Sequence, residues 1–338
     1  MFKNENLPTP EDISLLAKAG SADYQIHIAH ARELAKAIEK PLREGQLPGD
    51  IIGGIFNAFP VTSPTSQEFP MDIIAPGTEK DYVAYTMPNQ GYIPDRDTNG
   101  DYVMVPTYDV AAGIGTSLKY IRDANWFVMG RLREVMKAQF IKKMNDDAFH
   151  TLMAAGNDRN VVVYDPDAAN GQFTKRVVSI AQLVMKRNGG GNTGSSDVRR
   201  LTDLYTSLEA QMDMRNWGVD MLDQTTLREI YTASEDGTVL NRIYGVNLHP
   251  LNELGDNEEY QLYFENTLSG TMASGDVEIG IGLDLSGDAG STFVMPVREN
   301  VQVFEDPTAH RRGRFELYGR ASLGFGVLDS RRVLLISM

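Results

Sequence analysis

The 338-residue chain carries a formal net charge of −14, contains no cysteine, and is 42% hydrophobic. The lack of cysteine excludes disulfide bonds and thiolate metal sites, and the acidic balance argues against a general nucleic-acid binder. No run approaches the ~20 apolar residues of a membrane span, so no membrane partner is expected.

The amino-terminal stretch predicts two helices followed by an irregular arm. Thr9 and Pro10 form a typical helix start, and Gly20 is expected to end this first helix. A second helix is predicted from Ala22 to Glu39, with Pro41 closing it. The Gly- and Pro-rich stretch that follows, up to Pro70, predicts an arm that crosses a surface.

Residues 56–110 are rich in Pro, Gly, Thr and Tyr and predict an extended hairpin. Its candidate arms are Asp81–Met87 and Tyr102–Tyr108, which carry strand-forming Tyr and Val residues. A single hairpin is marginally stable alone, so contact with a neighbouring subunit is expected. After it, alternation from Ile114 to Tyr120 predicts a strand that runs directly into the next helix.

The stretch from Asp123 to Ala155 predicts one very long helix. Apolar residues recur there every three or four positions, which keeps a stripe on one side. Asp123 or Asn125 can cap its start, and Gly156 is expected to stop it. At 1.5 Å per residue the helix would be roughly 50 Å long, and such a rod needs a long surface to lie against.

Beyond Gly156 the composition shifts to a mixed α+β segment. Val161–Tyr164 is a predicted strand, and Val177–Lys186 is a predicted helix. Ser196 or Asp197 is expected to cap a further helix that extends towards Met214. Residues 217–285 predict short strands and loops.

The carboxyl-terminal end gives the clearest strand pattern in the chain. Apolar residues alternate with polar ones from Phe315 to Val327, which predicts a half-buried strand. Gly319 interrupts the apolar row, so a bend or bulge is predicted there. Val301 and Val303 predict a partner strand, and Val333–Ile336 predicts a last apolar strand.

Charge is unevenly distributed along the chain. Residues 119–143 contain seven basic side chains and two acids, and residues 308–332 contain six Arg and two acids. Residues 252–288 contain nine acids and no Lys or Arg. Such segments predict either solvated surface or faces of opposite sign that set the register between subunits.

The patterns that could carry chemistry are all incomplete. Asp95 opens a stretch like a calcium-binding loop, but Pro106 stands where a bidentate Glu is required. The glycine-rich residues 189–196 lack the Lys of a phosphate-binding loop. His27 and His30 lie three apart on a predicted helix without a third ligand nearby, which favours a surface pair. No catalytic, cofactor-binding or metal-binding residue is therefore predicted.

The order of elements resembles that of the major capsid proteins of tailed bacteriophages, which have the Hong Kong 97-type fold. The resemblance lies in Tyr102–Tyr120 leading into Asp123–Gly156, and in the closing run from Glu305 to Asp329. It implies an α+β fold with five parts: an N-terminal arm at 1–55, an E-loop at 56–112, a P-domain with a spine helix at 113–158, an A-domain at 159–296, and returning P-domain strands with the C-terminal strand at 297–338.

The resemblance implies a structural protein with no enzymatic activity. Copies would form pentamers and hexamers that close an icosahedral shell around double-stranded DNA, which is packaged non-specifically. The expected partners are a separate scaffolding protein, a portal and a decoration protein. The scaffold is expected to be separate because the E-loop region begins near residue 56, which leaves no room for a fused one. The location would be the virion capsid, assembled in the host bacterial cytoplasm. Some members of the family are cross-linked covalently through a lysine of the E-loop and an asparagine of the P-domain. Lys80 is the only lysine between residues 51 and 110, and it lies near the base of the hairpin rather than at its tip. Non-covalent assembly is therefore expected.

The resemblance also assigns intersubunit roles to individual residues. The hairpin residues expected to contact a neighbouring subunit are Tyr82, Tyr85, Arg96, Tyr102 and Tyr108. The basic helix residues expected to face either DNA or an adjacent subunit are Arg131, Arg133, Lys137, Lys142 and Lys143.

Two other functions fit the sequence. An encapsulin-type nanocompartment shell protein shares this fold and would enclose a cargo enzyme instead of DNA. An acidic cytoplasmic hydrolase would need acids or histidines that converge in a cleft, with a hairpin that belongs to its own core.

Overall fold

The computed structural model describes residues 10–21, 23–45, 51–62, 67–70, 102–123, 126–158, 162–168, 172–188, 199–217, 242–268, 278–287, 292–306 and 308–338. The helices in these ranges are α1 (Pro10–Ala19), α2 (Tyr24–Gly45), α3 (Leu118–Arg122), α4 (Trp126–Asp158), α5 (Lys175–Asn188), α6 (Leu208–Asn216) and α7 (Glu259–Asn266). The strands are β1 (Asn57–Pro60), β2 (Glu68–Pro70), β3 (Tyr102–Met104), β4 (Tyr108–Ser117), β5 (Val162–Val163), β6 (Asp203–Thr206), β7 (Arg242–Ile243), β8 (Val246–Pro250), β9 (Ile279–Leu283), β10 (Phe293–Glu305), β11 (Arg314–Leu323), β12 (Gly326–Val327) and β13 (Val333–Ser337). The fold is therefore α+β, as the sequence predicts.

The chain divides into two compact units. The first contains Met1–Gln67, Val105–Ala148 and Met295–Phe325, and the second contains Glu68–Met104, Phe149–Val294 and Gly326–Met338. Helix α4 contributes residues to both.

The first unit is built on an antiparallel sheet with the strand order β1-β10-β11-β4. Strands β11 and β4 pair without interruption, from Arg314 opposite Ser117 to Leu323 opposite Tyr108. The predicted alternation is confirmed, because one row of β11 is buried while the other includes exposed side chains. The buried row is Phe315, Leu317, Gly319, Ala321 and Leu323.

Gly319 does not form the predicted bulge. The pairing of β11 with β4 is continuous through this position, and the register shifts between β10 and β11 lie in the segment from Val297 to Gln302. A Cβ atom on Gly319 would lie 2.7 Å from a ring carbon of Phe140 in α4. The glycine therefore allows α4 to approach the sheet closely.

The first amino-terminal helix agrees with its prediction, and the second extends beyond its predicted end. Gly20 follows α1, as predicted, and a Cβ on it would lie 2.3 Å from the backbone nitrogen of Arg122. Helix α2 does not end at Pro41 but continues to Gly45. A proline removes one backbone donor, and a helix can continue at that cost.

The predicted strand from Ile114 to Tyr120 is correct only in its first half. Strand β4 ends at Ser117, and Leu118–Arg122 forms α3 before the long helix begins. Ile121 of α3 is fully buried. The helical turn therefore buries Ile121, which lies just beyond the end of the predicted strand.

Helix α4 confirms the predicted rod, although its end differs from the prediction. The helix continues two residues past Gly156, to Asp158. A Cβ on Gly156 would lie 2.8 Å from the side chain of Leu335 in β13, so this glycine serves close packing and not helix termination. The stripe predicted on α4 is buried at Met129, Leu132, Met136, Phe140, Met144, Ala148 and Leu152.

The second unit is built on a six-stranded mixed sheet with the order β5-β13-β9-β6-β8-β7. One face, which includes Leu204 and Leu334, packs in a single core with α5 and α6. Residues with the opposite orientation include Tyr205 and Leu335, and these contact the end of α4. The ring of Phe149 lies 5.4 Å from that of Tyr205.

The helix predicted from Ser196 or Asp197 to Met214 is wrong in part. Asp203–Thr206 is a fully buried strand, and the helix begins only at Leu208. Ser207 caps it by accepting a hydrogen bond from the amide of Ala210 at 3.0 Å. Pairing with β8 and β9 on both sides determines the strand, because a buried central position overrides helix propensity.

Candidate intersubunit surfaces

The described part of the predicted hairpin is its base, where β3, in the predicted arm Tyr102–Tyr108, pairs with β2. The other predicted arm, Asp81–Met87, lies outside the described residues. Strands β2 and β3 pair antiparallel, with Glu68 opposite Met104 and Pro70 opposite Tyr102. Tyr102 is 69% exposed and Met104 is 60% exposed. Two large apolar side chains are therefore available at this base for contact with another molecule.

Three of the predicted hairpin contacts, Tyr82, Tyr85 and Arg96, lie outside the described residues, as do Asp95 and residues 189–196. Tyr108 lies at the start of β4, and its hydroxyl donates a hydrogen bond to Asp147 Oδ2 of α4 at 2.8 Å. Lys143 donates to the other oxygen of Asp147 at 2.7 Å. Burial and the bond to Asp147 raise the pKa of Tyr108. Tyr108 thus ties the start of β4 to α4.

The five predicted basic residues of α4 do not share one face. Residues advance about 100° around a helix, so Arg131 and Lys142 lie within about 20° of each other, whereas Arg133 and Lys137 lie on another side. Arg131 and Lys142 are exposed, and Arg133 and Lys137 are half-buried. Arg131 pairs with Glu134 at 3.6 Å in an exposed contact.

A buried polar cluster holds the amino-terminal helices against the sheet of the first unit. His27 of α2 is 1% exposed, and its Nδ1 donates to the carbonyl of Ala19 at 2.5 Å. Its Nε2 contacts the carboxylate of Glu305 at the end of β10. Burial raises the pKa of the Glu305 carboxyl, while His27 opposes that shift. The ring of His310 lies 4.3 Å from that of His27. The predicted surface position of His27 is therefore wrong.

A second His–carboxylate pair lies on the sheet of the second unit. Asp203 accepts hydrogen bonds from His249 Nε2 at 2.8 Å and from Asn247 at 3.1 Å. Burial acts to raise the pKa of Asp203, but bonds from His249, Thr202 and Asn247 lower it below its ordinary value. The His249 ring stacks on Tyr205 with centroids 4.7 Å apart. The contacts connect β6 with β8.

Glu278, which precedes β9, is a buried carboxyl with a strongly raised affinity for a proton. It is 4% exposed and contacts the hydroxyl of Ser207. Burial raises its pKa to about 7, and the nearby charges of Glu209, Asp213 and Asp256 add to this. Its backbone pairs with Met338 at 3.1 and 3.0 Å, which joins it to the end of β13.

A cavity of about 360 Å³ lies where α5 begins in the second unit. Phe173 and Trp217 stack beside it with ring centroids 5.8 Å apart, and Arg176 lies on its rim. Among the residues that the structure describes, neither Glu278 nor the Asp203–His249 pair lines this cavity. The perturbed carboxyls and the cavity are therefore separate features.

Within the described ranges, no group of three His, Asp or Glu side chains is arranged to hold a metal ion. No described helix is long and apolar enough to cross a membrane.

Several of these contacts could not be found by reading the sequence. Asp147 lies 39 residues from Tyr108, and Glu305 lies in a different part of the chain from His27. The spacing of His27 and His30 was visible, but the partner carboxylate of His27 was not. Only the fold brings these residues together.

No protein-family model matches the sequence, and no curated protein matches it. Solved structures do match it. A chain of Microbacterium phage Oxtober96 is 12% identical, with a TM-score of 0.55, and the match covers 86% of this chain and 91% of that one. A chain of Mycobacterium phage Bobi is 13% identical, with coverage of 86% and 91% and a TM-score of 0.52. A chain of Mycobacterium phage Adephagia is 14% identical, with coverage of 86% and 90% and a TM-score of 0.50. These likenesses confirm the predicted Hong Kong 97-type fold of phage major capsid proteins.

Proposed function

We propose that this chain is the major capsid protein of a tailed bacteriophage. Its copies form pentamers and hexamers that close an icosahedral shell around double-stranded DNA. The observation that carries the proposal is the fold, which is shared with phage chains over 86% of the sequence. A fold alone does not specify function, so the proposal also depends on the surfaces described above.

The role is structural and not enzymatic. The polar clusters of the two units connect secondary-structure elements: His27 connects α2 to β10, and Asp203 connects β6 to β8. Each of these groups joins two elements of the fold, which supports a structural role.

The hairpin that begins at β2 and returns at β3 is the first proposed contact between copies. Exposed Tyr102 and Met104 lie at its base, where burial by a neighbour would remove apolar surface from water. Tyr82, Tyr85 and Arg96 are proposed to extend this contact. Tyr108 contributes by fixing the start of β4 to α4.

The basic residues of α4 form the second proposed contact. Arg131 and Lys142 share one side of the helix and are exposed, so they face packaged DNA or an acidic neighbour. Phosphate contacts of this kind are independent of base sequence and weaken with salt. The proposed partner during assembly is a separate scaffolding protein, and the proposed partners in the shell are a portal and a decoration protein.

The proposal is tested by imaging the purified full-length chain by negative-stain electron microscopy, with sedimentation velocity on the same sample. Rings of five or six, closed shells or tubes are expected, with and without a co-expressed scaffold. Nucleic acid inside the particles supports a phage capsid, and a co-purifying enzyme would instead identify a nanocompartment. A compact monomer under all these conditions would contradict a shell function.

A variant with a shortened hairpin tests this contact directly. Because Pro70 and Tyr102 are paired, residues 71–101 can be replaced by an Asn-Gly turn that closes a two-residue hairpin. The variant is expected to fold, as measured by circular dichroism, and to lose assembly. Particles that form as well as those of the wild-type chain would show that the hairpin is not an intersubunit contact.

A further inference from the structure

Two helices of the second unit have exposed faces of opposite charge. Helix α5 contains four basic residues and no acid. Helix α7 and the residue before it, Glu258, contain three acids and no basic residue. The two faces therefore differ in sign. At the start of α5 Arg176 is paired with Asp165 and Asp167, so the free positive charge of this face lies at its end, at Lys186 and Arg187.

Each of these faces also has an exposed leucine at its centre. Leu183 of α5 is 48% exposed, and Leu262 of α7 is 42% exposed. At about 100° per residue, Lys186 and Arg187 lie on either side of Leu183, about 60° and 40° away. The face of α5 therefore presents one exposed apolar side chain flanked by two basic residues.

The acidic face repeats this arrangement with the opposite sign. Glu258 and Glu259 lie on either side of Leu262, about 40° and 60° away, and Glu265 follows one turn later. Glu258, Glu259, Leu262 and Glu265 are all exposed. The faces of α5 and α7 thus match in charge and in the position of their leucine.

The two helices lie on opposite sides of the six-stranded sheet. Val178 and Met185 of α5 pack in the core that contains Leu204 and Leu334. Helix α7 packs instead on the end of α4, where the ring of Tyr260 lies 5.5 Å from that of Phe149. Phe149 in turn contacts Tyr205, which has the orientation opposite to Leu204. The exposed face of α5 therefore points away from the side that carries α7.

We propose that the basic face of α5 in one copy packs against the acidic face of α7 in a second copy. The partner is a second copy because this chain carries both complementary faces on opposite sides of one sheet. Such a head-to-tail contact uses two different surfaces and generates rings when the rotation closes. The inference rests on the proposed shell function, and it assigns the contact within a ring to these two helices.

The contact also explains how copies can pack closely although the segment that includes α7 is acidic. In a ring of identical copies, acidic faces near one another would repel. A neighbouring α5 places Lys186 and Arg187 against those acids, so that each junction is attractive. Its strength depends on salt, because the screening length falls from about 10 Å at 0.1 M to about 3 Å at 1 M.

Charge reversal tests the proposal in the full-length chain. Lys186→Glu with Arg187→Glu is expected to weaken self-association at least about tenfold, and Glu258→Lys with Glu265→Lys is expected to do the same. All four changes in one chain restore opposite charges at every junction and are expected to restore association. The measurement is sedimentation velocity over a concentration series at 0.05 and 0.5 M salt, with circular dichroism as the check on folding.

A matched control separates a specific contact from an effect of net charge. Lys186→Glu and Arg187→Glu combined with Glu33→Lys and Glu299→Lys has the same net charge as the fourfold variant. Glu33 and Glu299 are exposed residues of the first unit. This control is expected to remain defective, and full recovery by it would overturn the proposal.

Mixing gives an independent readout. Chains with a reversed α5 and chains with a reversed α7 are complementary only in alternation, which a ring of six permits and a ring of five does not. Mixed samples are therefore expected to recover rings of six without rings of five. The inference is overturned if the variant with a reversed α5 and the variant with a reversed α7 each assemble alone as well as the wild-type chain. That result would leave the shell function intact. A wild-type chain that never associates overturns both.

Discussion

Replacing Glu278 by Gln is expected to remove a pH-dependent cost to the stability of the second unit. Burial raises the pKa of this carboxyl from 4.5 to about 7. Between these values the folded chain keeps a proton that the unfolded chain has lost, so stability falls as the pH rises through this window. A tenfold change in proton affinity is worth about 1.4 kcal/mol, which puts the full cost above pH 7 at roughly 3 kcal/mol.

Glutamine cannot ionise and can still accept a hydrogen bond from Ser207. The Glu278→Gln chain is therefore expected to match the wild-type chain near pH 4.5 and to gain up to roughly 3 kcal/mol by pH 8. The difference between the two chains isolates this group, because all other titrations are common to both.

The assay is guanidinium unfolding of unassembled subunits at several pH values. In a Trp126→Phe background, Trp217 is the only tryptophan left of two, and it stacks on Phe173 in the same unit as Glu278. Glu258→Gln, at an exposed position, is the control for the loss of one carboxylate. A Glu278→Gln chain whose stability changes with pH as steeply as that of the wild type would refute the reasoning.

Two further substitutions test packing in the first unit. Gly319→Ala places a Cβ 2.7 Å from the Phe140 ring and is expected to lower the free energy of unfolding by about 1–3 kcal/mol, measured by denaturant unfolding. Gly54→Ala, which meets nothing within 4 Å, is its control, and equal effects of the two would show that Gly319 is not packed against Phe140. Tyr108→Phe removes the hydrogen bond to Asp147 and is expected to cost roughly 1 kcal/mol by the same measurement. An unchanged stability would mean that this bond does not hold β4 to α4.

The candidate intersubunit surfaces could be predicted from the sequence only in part. The basic residues of α4 were visible in the sequence, and the helical angle alone separates Arg131 and Lys142 from Arg133 and Lys137. The partner of Tyr108 was not visible, because Asp147 is one of many acids in the chain. Complementary charge on α5 and α7 could be read from composition, but their placement on opposite sides of one sheet could not.

The sequence by itself determined the elements whose pattern is local. The stripe of α4 and the alternation of β11 follow from the period with which a helix or a strand returns to one side, and burial of that side needs no knowledge of the partner. Tertiary structure decided positions where a distant neighbour sets the conformation. Asp203–Thr206 is a strand because β8 and β9 pair with it. Position 156 is a glycine inside a helix, where the side chain of Leu335 leaves no room for a Cβ, and not a glycine that ends the helix. Contacts between residues far apart in the chain depend on how the whole chain packs, and no local period encodes them.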